Sequence, residues 1–445
     1  MSDMLSIGAS GLKAYQVALN TVSDNIANAG TTGYTRRVAS TTEVAAIGKN
    51  GSLSGLGSLV TGVSRVSDFY RSAEVRSSGS DLARTQTSVT WLDRIESGLD
   101  GSKLGTRMSD FFTAATTLAG DPTSLGARSS MLEAAAGVAS AFSDTGAALD
   151  QIAQDLDGTG RAAVDSLNTS AAALAKVNEG ISRAQPGTAG AAALLDQRDQ
   201  LLEQMSALTD VTVQLDSIGR ATVRGGGAAG PVLVDGNQAA TTVYVSNSSG
   251  AIGYNVVNGS SLSTLTPSGG ALAGVVDSMQ RVTDAKQSLD TLATNFVDGI
   301  NTVQAGGRDL DGNPGAAIFA SGASGTAQVT MVLDDPRGIA AAAVGGGTRD
   351  NTNLTALASL RTSAGFENQI ADMTTANAAT LAQRKAVADA QSTIHDNAIA
   401  ARDSSSGVNL DTEAVDLMRF QQAYSATSRV IQVARETMQS ILDIR

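Results

Sequence analysis

Large apolar residues recur every seven positions in two segments of the chain, one near each end. The first series is Leu5, Leu12, Leu19 and Ile26, with Tyr15 and Val22 at the intermediate positions. The second series is Leu410, Leu417, Tyr424, Ile431 and Met438, interleaved with Phe420, Ala434 and Ile441. Steps of three and four residues place such side chains on one face of a helix, and that face needs a partner helix. We therefore expect the two segments to pair as an antiparallel coiled coil.

Helical periodicity also fills most of the chain between the two series. Asp3 suits the first turn of the first helix, and Gly30 is placed to end it. Pro122 and Pro186 are expected to interrupt the long helical region that follows. The helices predicted in chain order cover 3–28, several segments within 68–208, 271–303, 353–402 and 410–442.

Alternation with a period of two marks the regions that are not helical. Residues 31–67 form a Gly-, Ser- and Thr-rich stretch that we expect to be extended. Residues 210–268 alternate more regularly between apolar and polar positions, and Gly, Asn and Ser separate the runs. That pattern predicts a small antiparallel β unit. A loop-rich piece with one strand, within 327–333, is expected before residue 348.

These elements are arranged symmetrically about the middle of the chain, which predicts a nested architecture. The fold class expected is mainly α with a β-rich insertion, in an elongated multidomain molecule. Three domains follow, each assembled from separated segments: a coiled-coil assembly domain from 1–35 with 406–445; an inner helical bundle from 36–208, 270–305 and 349–405, in which 36–67 is the extended part; and an outer β-rich domain from 209–269 with 306–348.

Composition excludes several classes of function. The formal net charge is −12, so the surface repels phosphate backbones and anionic membranes, and we expect neither nucleic acid nor membrane as a partner. The chain has no cysteine, which removes disulfides, thiolate catalysis and zinc–sulfur sites. No apolar run is long enough to span a bilayer. The first residues lack the basic and apolar regions of an ordinary signal peptide.

The two apolar series raise the question of what covers them. An isolated pair of helices is marginally stable in water and leaves part of each apolar stripe wet. One hypothesis is that both helices are mobile in the free monomer and become ordered when neighbouring copies supply the missing contacts. The alternative is a self-contained helical bundle in which the two ends happen to meet.

Residues 23–37, SDNIANAGTTGYTRR, resemble the signature of the bacterial flagellar rod, hook and hook-associated proteins. The common form is S-N-N-I-A-N-x-N-T-x-G-Y. Asp24 and Gly30 depart from it, although Gly suits a left-handed helix cap as well as Asn does. Residues 407–411 and 417–424 resemble the hook-associated members in particular. So do 110–112, 194–202 and 307–315.

The resemblance implies a structural protein between the hook and the filament, located outside the cell. Its partners would be copies of itself, the hook protein below and a second junction protein above. Export unfolded through the flagellar type III apparatus is implied, with a chaperone that masks the last helix. No cofactor, metal or enzymatic activity is implied. The candidate assembly interface comprises Leu5, Leu12, Tyr15, Leu19, Val22, Ile26, Asn28, Leu410, Leu417, Phe420, Tyr424, Ile431, Met438 and Ile441.

Few residues offer catalytic or ligand-binding chemistry. The single histidine, His395, lies in a predicted helix and is expected to be packed or solvent-facing. Residues 309–313 begin like a calcium loop, but Pro314 and Ala320 replace the required Gly and Glu, so a turn held by Asx hydrogen bonds is favoured. The glycine runs 225–227 and 345–347 lack the Lys-Ser/Thr of a phosphate-binding loop.

Other interpretations stay open. Arg36 and Arg37 either meet acidic groups across an assembly interface or form a solvated pair. A secreted carbohydrate-active enzyme or adhesin would carry its site in the β unit, although the only tryptophan, Trp91, lies in a predicted helix and not there. A cytoplasmic helical scaffold is a third possibility. Loss of about 40 residues from each end on limited proteolysis would favour the assembly interpretation.

Overall fold

The computed structural model describes residues 2–47, 53–247, 251–322 and 327–443. The helices are α1 Ser2–Ala27, α2 Phe69–Gly101, α3 Leu104–Gly120, α4 Leu125–Arg183, α5 Ala189–Leu208, α6 Gly270–Gly306, α7 Thr352–Ala364, α8 Phe366–Ser406 and α9 Leu410–Asp443. The strands are β1 Arg37–Ile47, β2 Leu53–Arg65, β3 Val211–Leu215, β4 Ala221–Gly225, β5 Val232–Asp235, β6 Gln238–Ala239, β7 Thr241–Ser246, β8 Ile252–Asn258, β9 Ser261–Leu265, β10 Gly307–Arg308, β11 Phe319–Ser321, β12 Val329–Met331 and β13 Ala342–Ala343. A mainly α fold with a β insertion is thereby confirmed.

Helices α1 and α9 pack against each other in antiparallel orientation, as the two heptad series predict. Gly8 faces Ile431, and an ideal Cβ built on Gly8 would lie 2.7 Å from Ile431 Cγ1. Tyr15 meets Phe420 with their ring centroids 6.5 Å apart. Because rising numbers in α1 meet falling numbers in α9, the helices run in opposite directions. The missing side chain at Gly8 allows the two backbones to approach closely.

The stretch expected to be extended forms a long antiparallel hairpin. Strands β1 and β2 pair from Arg37 opposite Arg65 to Ile47 opposite Leu53, with two register shifts. The hairpin lies against α1, where the Ser58 amide donates to the Ser10 hydroxyl at 3.2 Å. The extended character was predicted, but the pairing of its two halves was not.

A first hydrophobic core joins α2, α3, the first half of α4, α6, α7 and α8. Its centre is a cluster of phenylalanines around Phe296, whose ring lies 5.2–6.2 Å from the rings of five others, Phe111, Phe112, Phe142, Phe319 and Phe366. Contacts at these distances between tilted or perpendicular rings are favourable. The predicted helix over 353–402 is divided at Gly365, whose φ of +59° ends α7 and allows α8 to start in a new direction.

A second core joins the second half of α4 to α5 and the predicted β unit. The sheets have the strand orders β3-β4-β5-β6 and β7-β8-β9, all antiparallel. Their buried side chains include Val223, Val234 and Tyr254, which pack on Leu167 and Leu174 of α4. Because α4 is 59 residues long, a single helix contributes to both cores.

Residues 306–348 pack differently from the expected domain grouping. That grouping placed them with 209–269, but their buried side chains, among them Phe319, Val329 and Ile339, belong to the first core. The strand expected within 327–333 is present as β12, and three further short strands accompany it. These segments carry too few apolar residues to form a core of their own, so they are buried on the helices. The domain boundaries themselves stay a prediction.

Candidate assembly interface

Helix α9 carries two rows of apolar side chains on opposite faces. The inner row faces α1 and is partly or fully buried; it comprises Leu417, Phe420, Tyr424, Ile431 and Ala434. The outer row consists of Val415, Met418, Val430 and Val433, each more than half exposed. Spacing of three, four and seven residues places the inner row on one side of α9, whereas the outer row consists of two pairs, each spaced by three residues and twelve residues apart, on the side turned away from α1. The inner row packs against α1 of the same chain. No described residue covers the outer row.

The predicted interface residues of α1 lie beside its contact line with α9. Of this set only Val22 is fully buried, and Leu5, Leu12, Tyr15, Leu19, Ile26 and Asn28 are partly exposed. The other buried positions of α1 are small or polar: Gly8, Ala14, Ala18, Thr21 and Asn25. Small residues allow α9 and the hairpin to pack closely on α1, so the large residues flank the contact.

The predicted interface residues of α9 fall into two groups that differ in burial. Leu417, Phe420, Tyr424 and Ile431 contribute to the inner row, whereas Leu410, Met438 and Ile441 are about half exposed. The two heptad series do not include the outer row, because its members lie on a different side of α9 from the seven-residue repeat. A sequence signal for these residues exists in two apolar pairs, each spaced by three residues and displaced around α9 from the heptad series. The pairs are Val415 with Met418 and Val430 with Val433.

A buried polar network fixes one end of the α1–α9 pair. Asn25 is 0% exposed. Its Nδ2 donates to the Arg37 carbonyl oxygen at 2.8 Å and to Glu413 Oε2 at 3.0 Å. Its Oδ1 accepts from the Arg37 amide at 3.0 Å and from the Tyr34 hydroxyl at 2.9 Å. Burial raises the pKa of Tyr34, so its hydroxyl keeps the proton that it donates. One amide therefore joins α1, the loop before β1, and α9.

Glu413 is also 0% exposed, and Arg36 balances its charge. The Arg36 Nε lies 2.6 Å from Glu413 Oε1, and its Nη2 lies 3.4 Å from Asp416 Oδ2. The Arg36 amide donates to the Ser406 carbonyl at 2.9 Å, and the Asn409 side chain caps the start of α9. Charge-assisted contacts of this kind, partly removed from solvent, hold α9 to the loop before β1.

Arg37 takes part in a second ionic cluster that joins the hairpin to α5. Arg37 Nη2 lies 3.1 Å from Asp196 Oδ2. Arg65, opposite Arg37 in the hairpin, lies 2.7 Å from both Asp196 and Asp199. Arg198 pairs with Asp199 at 2.5 Å. Both arginines have carboxylate partners within this chain, so they are not a solvated pair; contact across an assembly interface stays a prediction.

The hairpin also docks on α5 and the preceding loop through its backbone. The Val63 amide donates to the Gly187 carbonyl at 2.7 Å, and Gln200 Nε2 donates to the Thr32 carbonyl at 2.6 Å. Gly187 has φ +76°, and an ideal Cβ built on Gly62 would lie 2.6 Å from its Cα. Glycine is thus required where the two segments cross. Of the segments that carried the family resemblance, 23–37 and 194–202 contribute to these two networks and 407–411 and 417–424 flank Glu413, whereas 110–112 and 307–315 lie elsewhere.

The other candidate residues have local structural roles. His395 Nδ1 lies 3.1 Å from the Ser78 hydroxyl, in a helix-to-helix contact. Asp309 Oδ1 accepts the amides of Asp311 and Asn313, as expected of an Asx turn. Trp91 is buried in α2, which removes it as a sugar-stacking platform. Among the described residues, no group of His, Asp and Glu is placed to hold a metal ion, and no helix is long and apolar enough to cross a membrane.

Family models match three parts of the chain. The helical domain of the flagellar hook-associated protein FlgK matches residues 90–319. A model described as flagella basal body rod protein matches 5–35, and the C-terminal model of the flagellar basal body rod FlgEFG proteins matches 401–444. The last two models cover α1 and α9, and the first spans helices of both cores together with the β unit.

Individual relatives agree with these matches. Flagellar hook-associated protein 1 of Escherichia coli K12 is 31% identical over 353 residues, which are 75% of this chain and 63% of that protein. The protein of the same name from Bacillus subtilis is 26% identical over 491 aligned positions, 97% of this chain and 96% of that protein. The alignment with the Escherichia coli protein thus spans less than two thirds of that relative.

One solved structure is also similar, that of the flagellar hook junction protein FlgK from Burkholderia pseudomallei. It matches with a TM-score of 0.50 and 25% sequence identity, over 56% of this chain and 47% of that one.

Proposed function

The chain belongs to the family of the flagellar hook-associated protein FlgK, and from that premise we propose that it is a structural protein joining the hook of the bacterial flagellum to its filament. It acts by assembly and not by catalysis. The observation that carries this proposal is the outer row of α9, four large apolar side chains exposed on a helix whose other face is already packed. Exposed apolar rows of this kind are typical of protein interfaces.

The partners of the outer row follow from its chemistry and from the family. An apolar helical stripe is best covered by a helix of similar character, and copies of this chain supply one. We infer that neighbouring copies pack through their α9 outer rows together with the partly exposed Leu5, Leu12 and Leu19 of α1. The hook protein would lie below this ring, and a second junction protein would lie above it.

Export precedes assembly in this proposal. The chain would pass unfolded through the flagellar type III apparatus, and a cytoplasmic chaperone would cover α9 until then. Covering the outer row would prevent premature association, because an exposed apolar stripe favours aggregation. After export the chain would reside at the hook–filament junction, outside the cell.

The test is genetic and uses one matched pair of variants on α9. A strain that lacks the gene should make hooks without filaments and release filament protein into the medium, and the wild-type gene should restore filaments. Val430→Asp places a charge in the outer row, and we expect it to be exported and folded but to restore few or no filaments. Gln432→Asp, at an exposed polar position two residues away, is the control and should restore filaments normally.

Two results would count against the proposal in different ways. Normal filaments in the deletion strain would overturn the function itself. Normal filaments with Val430→Asp, alongside a deletion strain that lacks them, would leave the function intact and reject the outer row as the contact surface. Detection of the variant in the medium by immunoblot separates failed assembly from failed export.

A further inference from the structure

Tyr70, near the start of α2, is the most exposed aromatic side chain of the protein. The chain has eight phenylalanines, six tyrosines and one tryptophan. Two neighbours in sequence are exposed, Phe69 at 42% and Tyr70 at 83%, and all the others are buried or partly buried. A solvated ring forgoes the free energy that burial would supply. An exposed aromatic pair in a protein that buries its other rings therefore indicates a contact surface.

The helix start and a neighbouring ring hold Tyr70 in place. Asp68 caps α2, and its Oδ1 accepts the amide of Tyr70 at 2.8 Å and that of Arg71 at 3.2 Å. The ring of Phe69 lies 5.9 Å from the Tyr70 ring, at an interplanar angle of 77°, and 5.8 Å from the Arg76 guanidinium. A capped helix and a supporting ring reduce the ordering cost that a partner would have to overcome on binding.

Tyr70 belongs to the junction between the terminal helices and the rest of the molecule. Four residues before it, the Val66 amide donates to the Arg36 carbonyl at 2.9 Å. Four residues of chain span at most about 14 Å. Arg36 in turn pairs with Asp416 of α9, two residues before Met418 of the outer row. The aromatic pair and the start of the outer row therefore belong to the same junction, so one neighbouring molecule can contact both.

The charges around Tyr70 balance each other. Arg71 and Glu74 are exposed and lie 3.2 Å apart. Residues 68–76 include two acidic and two basic side chains, in a chain whose formal net charge is −12. Two copies can therefore meet at this surface without the like-charge repulsion expected over the rest of an acidic surface. The exposed Arg71 and Glu74 offer a neighbouring copy one charge of each sign.

The aromatic pair is too small to hold two molecules together by itself. An aromatic side chain buries about 150–250 Å², and a stable interface needs about 800 Å² from each partner. The outer row of α9 supplies further apolar area. The contact is thus expected to form between copies that also meet through α9, and to leave the free chain monomeric.

We propose that Phe69 and Tyr70 pack against a neighbouring copy of this chain and extend the contact made by the α9 outer row onto α2. The inference rests on the proposed assembly of copies and adds a second contact surface to it. Tyrosine is enriched among the residues that dominate interface energies, because its ring buries a large area and loses few rotatable bonds on binding. Tyr70 is the dominant residue of this surface, and Phe69 supports its ring.

Photocrosslinking in assembled flagella tests this surface. A benzophenone amino acid replaces Tyr70 in one tagged copy, and a wild-type copy with a different tag is expressed in the same deletion strain so that junctions still form. After irradiation of isolated hook–filament structures, we expect a product that carries both tags, at twice the 44.9 kDa of one copy. The same probe at Ser97, an exposed position about 40 Å further along α2, should not give that product.

Substitutions supply an independent measurement. Tyr70→Ala should be exported and should unfold at the wild-type midpoint, because the ring is 83% exposed in the free chain. It should nevertheless reduce the fraction of cells with filaments at least about tenfold, as expected for a dominant interface residue. Tyr70→Phe keeps the ring and should restore filaments.

Three results would overturn the proposal. The first is a cross-linked product with one tag only, or none, from junctions that contain the probe copy. The second is filaments at the wild-type frequency with Tyr70→Ala. The third is a lowered unfolding midpoint in that variant, which would give Tyr70 a structural role within the chain instead. Failure of the proposed function looks different, because the deletion strain itself would then make normal filaments.

Discussion

Replacement of Asn25 by Ala tests whether the buried network holds α1 and α9 together. The side chain of Asn25 makes four hydrogen bonds, two as donor and two as acceptor. Asn28, the first residue after α1, makes a local bond to the Asp24 carbonyl at 2.9 Å. Asn28→Ala is therefore a control of identical chemistry in which the network is kept.

The expected change in the free energy of opening follows from the hydrogen bonds that the partners of Asn25 lose. Each ordinary hydrogen bond contributes about 1 kcal/mol net, and the bond to the ionised Glu413 contributes about 1.5–3 kcal/mol. Because Tyr34 and Arg37 are partly exposed, water can replace some of the lost bonds. Only the bond to Glu413 crosses from α1 to α9, so we expect opening of the pair to become easier by about 1.5–3 kcal/mol, which raises the open population about ten- to a hundredfold.

Limited proteolysis with trypsin measures how often the α1–α9 pair opens. Helix α9 carries exposed cleavage sites at Arg419, Arg429 and Arg435. When opening is fast relative to cleavage, the rate tracks the open population. We expect Asn25→Ala to be cut in α9 about ten- to a hundredfold faster than the wild type, and Asn28→Ala to be cut within about threefold of it. The two cores should resist in all three proteins.

Two outcomes would refute this reasoning. Equal cleavage of Asn25→Ala and Asn28→Ala, both slow, would mean that the network contributes little and that the inner row of α9 holds the pair alone. Rapid cleavage of the wild type itself would mean that the pair is open in the free monomer. That second result is expected from the hypothesis that both helices are mobile in the free monomer, and it would mean that this network becomes ordered only on assembly.

Further predictions concern the hairpin contact, the first core and the response to acid. Gly187→Ala should loosen the hairpin by about 1–3 kcal/mol, seen as faster amide exchange in β2, because alanine is strained at φ +76°; Gly190→Ala, with open space around it, should have little effect. Phe296→Ala should cost about 3–5 kcal/mol in urea unfolding, since it empties the centre of the aromatic cluster; a loss under about 1 kcal/mol would contradict that packing. The hydrogen bond from Arg161 is the main cause that lowers the pKa of Asp157. The stabilising contribution of ionised Asp157 is therefore present above its unfolded-state pKa of about 4 and is lost as pH falls through its lower folded-state pKa. Asp157→Asn should therefore flatten the dependence of the unfolding free energy on pH only in that acid range.

Local patterns in the sequence predicted most of the elements, because each pattern involves neighbours along the chain. The heptads identified α1, α9 and their antiparallel pairing, and the alternation over 210–268 identified the β unit. The hairpin had a signal that went unused: Asn50-Gly51, a dipeptide typical of tight hairpin turns, divides the extended stretch in two. Those two residues lie outside the described part of the chain.

Contacts between distant residues could not be predicted in the same way. Asn25 and Glu413 are 388 positions apart, and nothing local marks either one as buried. Arg65 carried no motif, yet it pairs with Asp196 and Asp199 of α5. Such contacts depend on how the elements pack, and a single sequence gives no measure of that.

The two rows of α9 give a physical reason to separate folding from assembly. The inner row and the network around Asn25 and Glu413 use contacts available within one chain, so they can form before any neighbour arrives. Among the described residues the outer row has no such contacts, so we expect its burial to depend on a second molecule. A substitution that weakens the network acts on the monomer first, whereas a charge in the outer row leaves the monomer folded and acts only on assembly. Asn25→Ala and Val430→Asp should therefore fail in different assays, a distinction that the seven-residue repeat alone does not make.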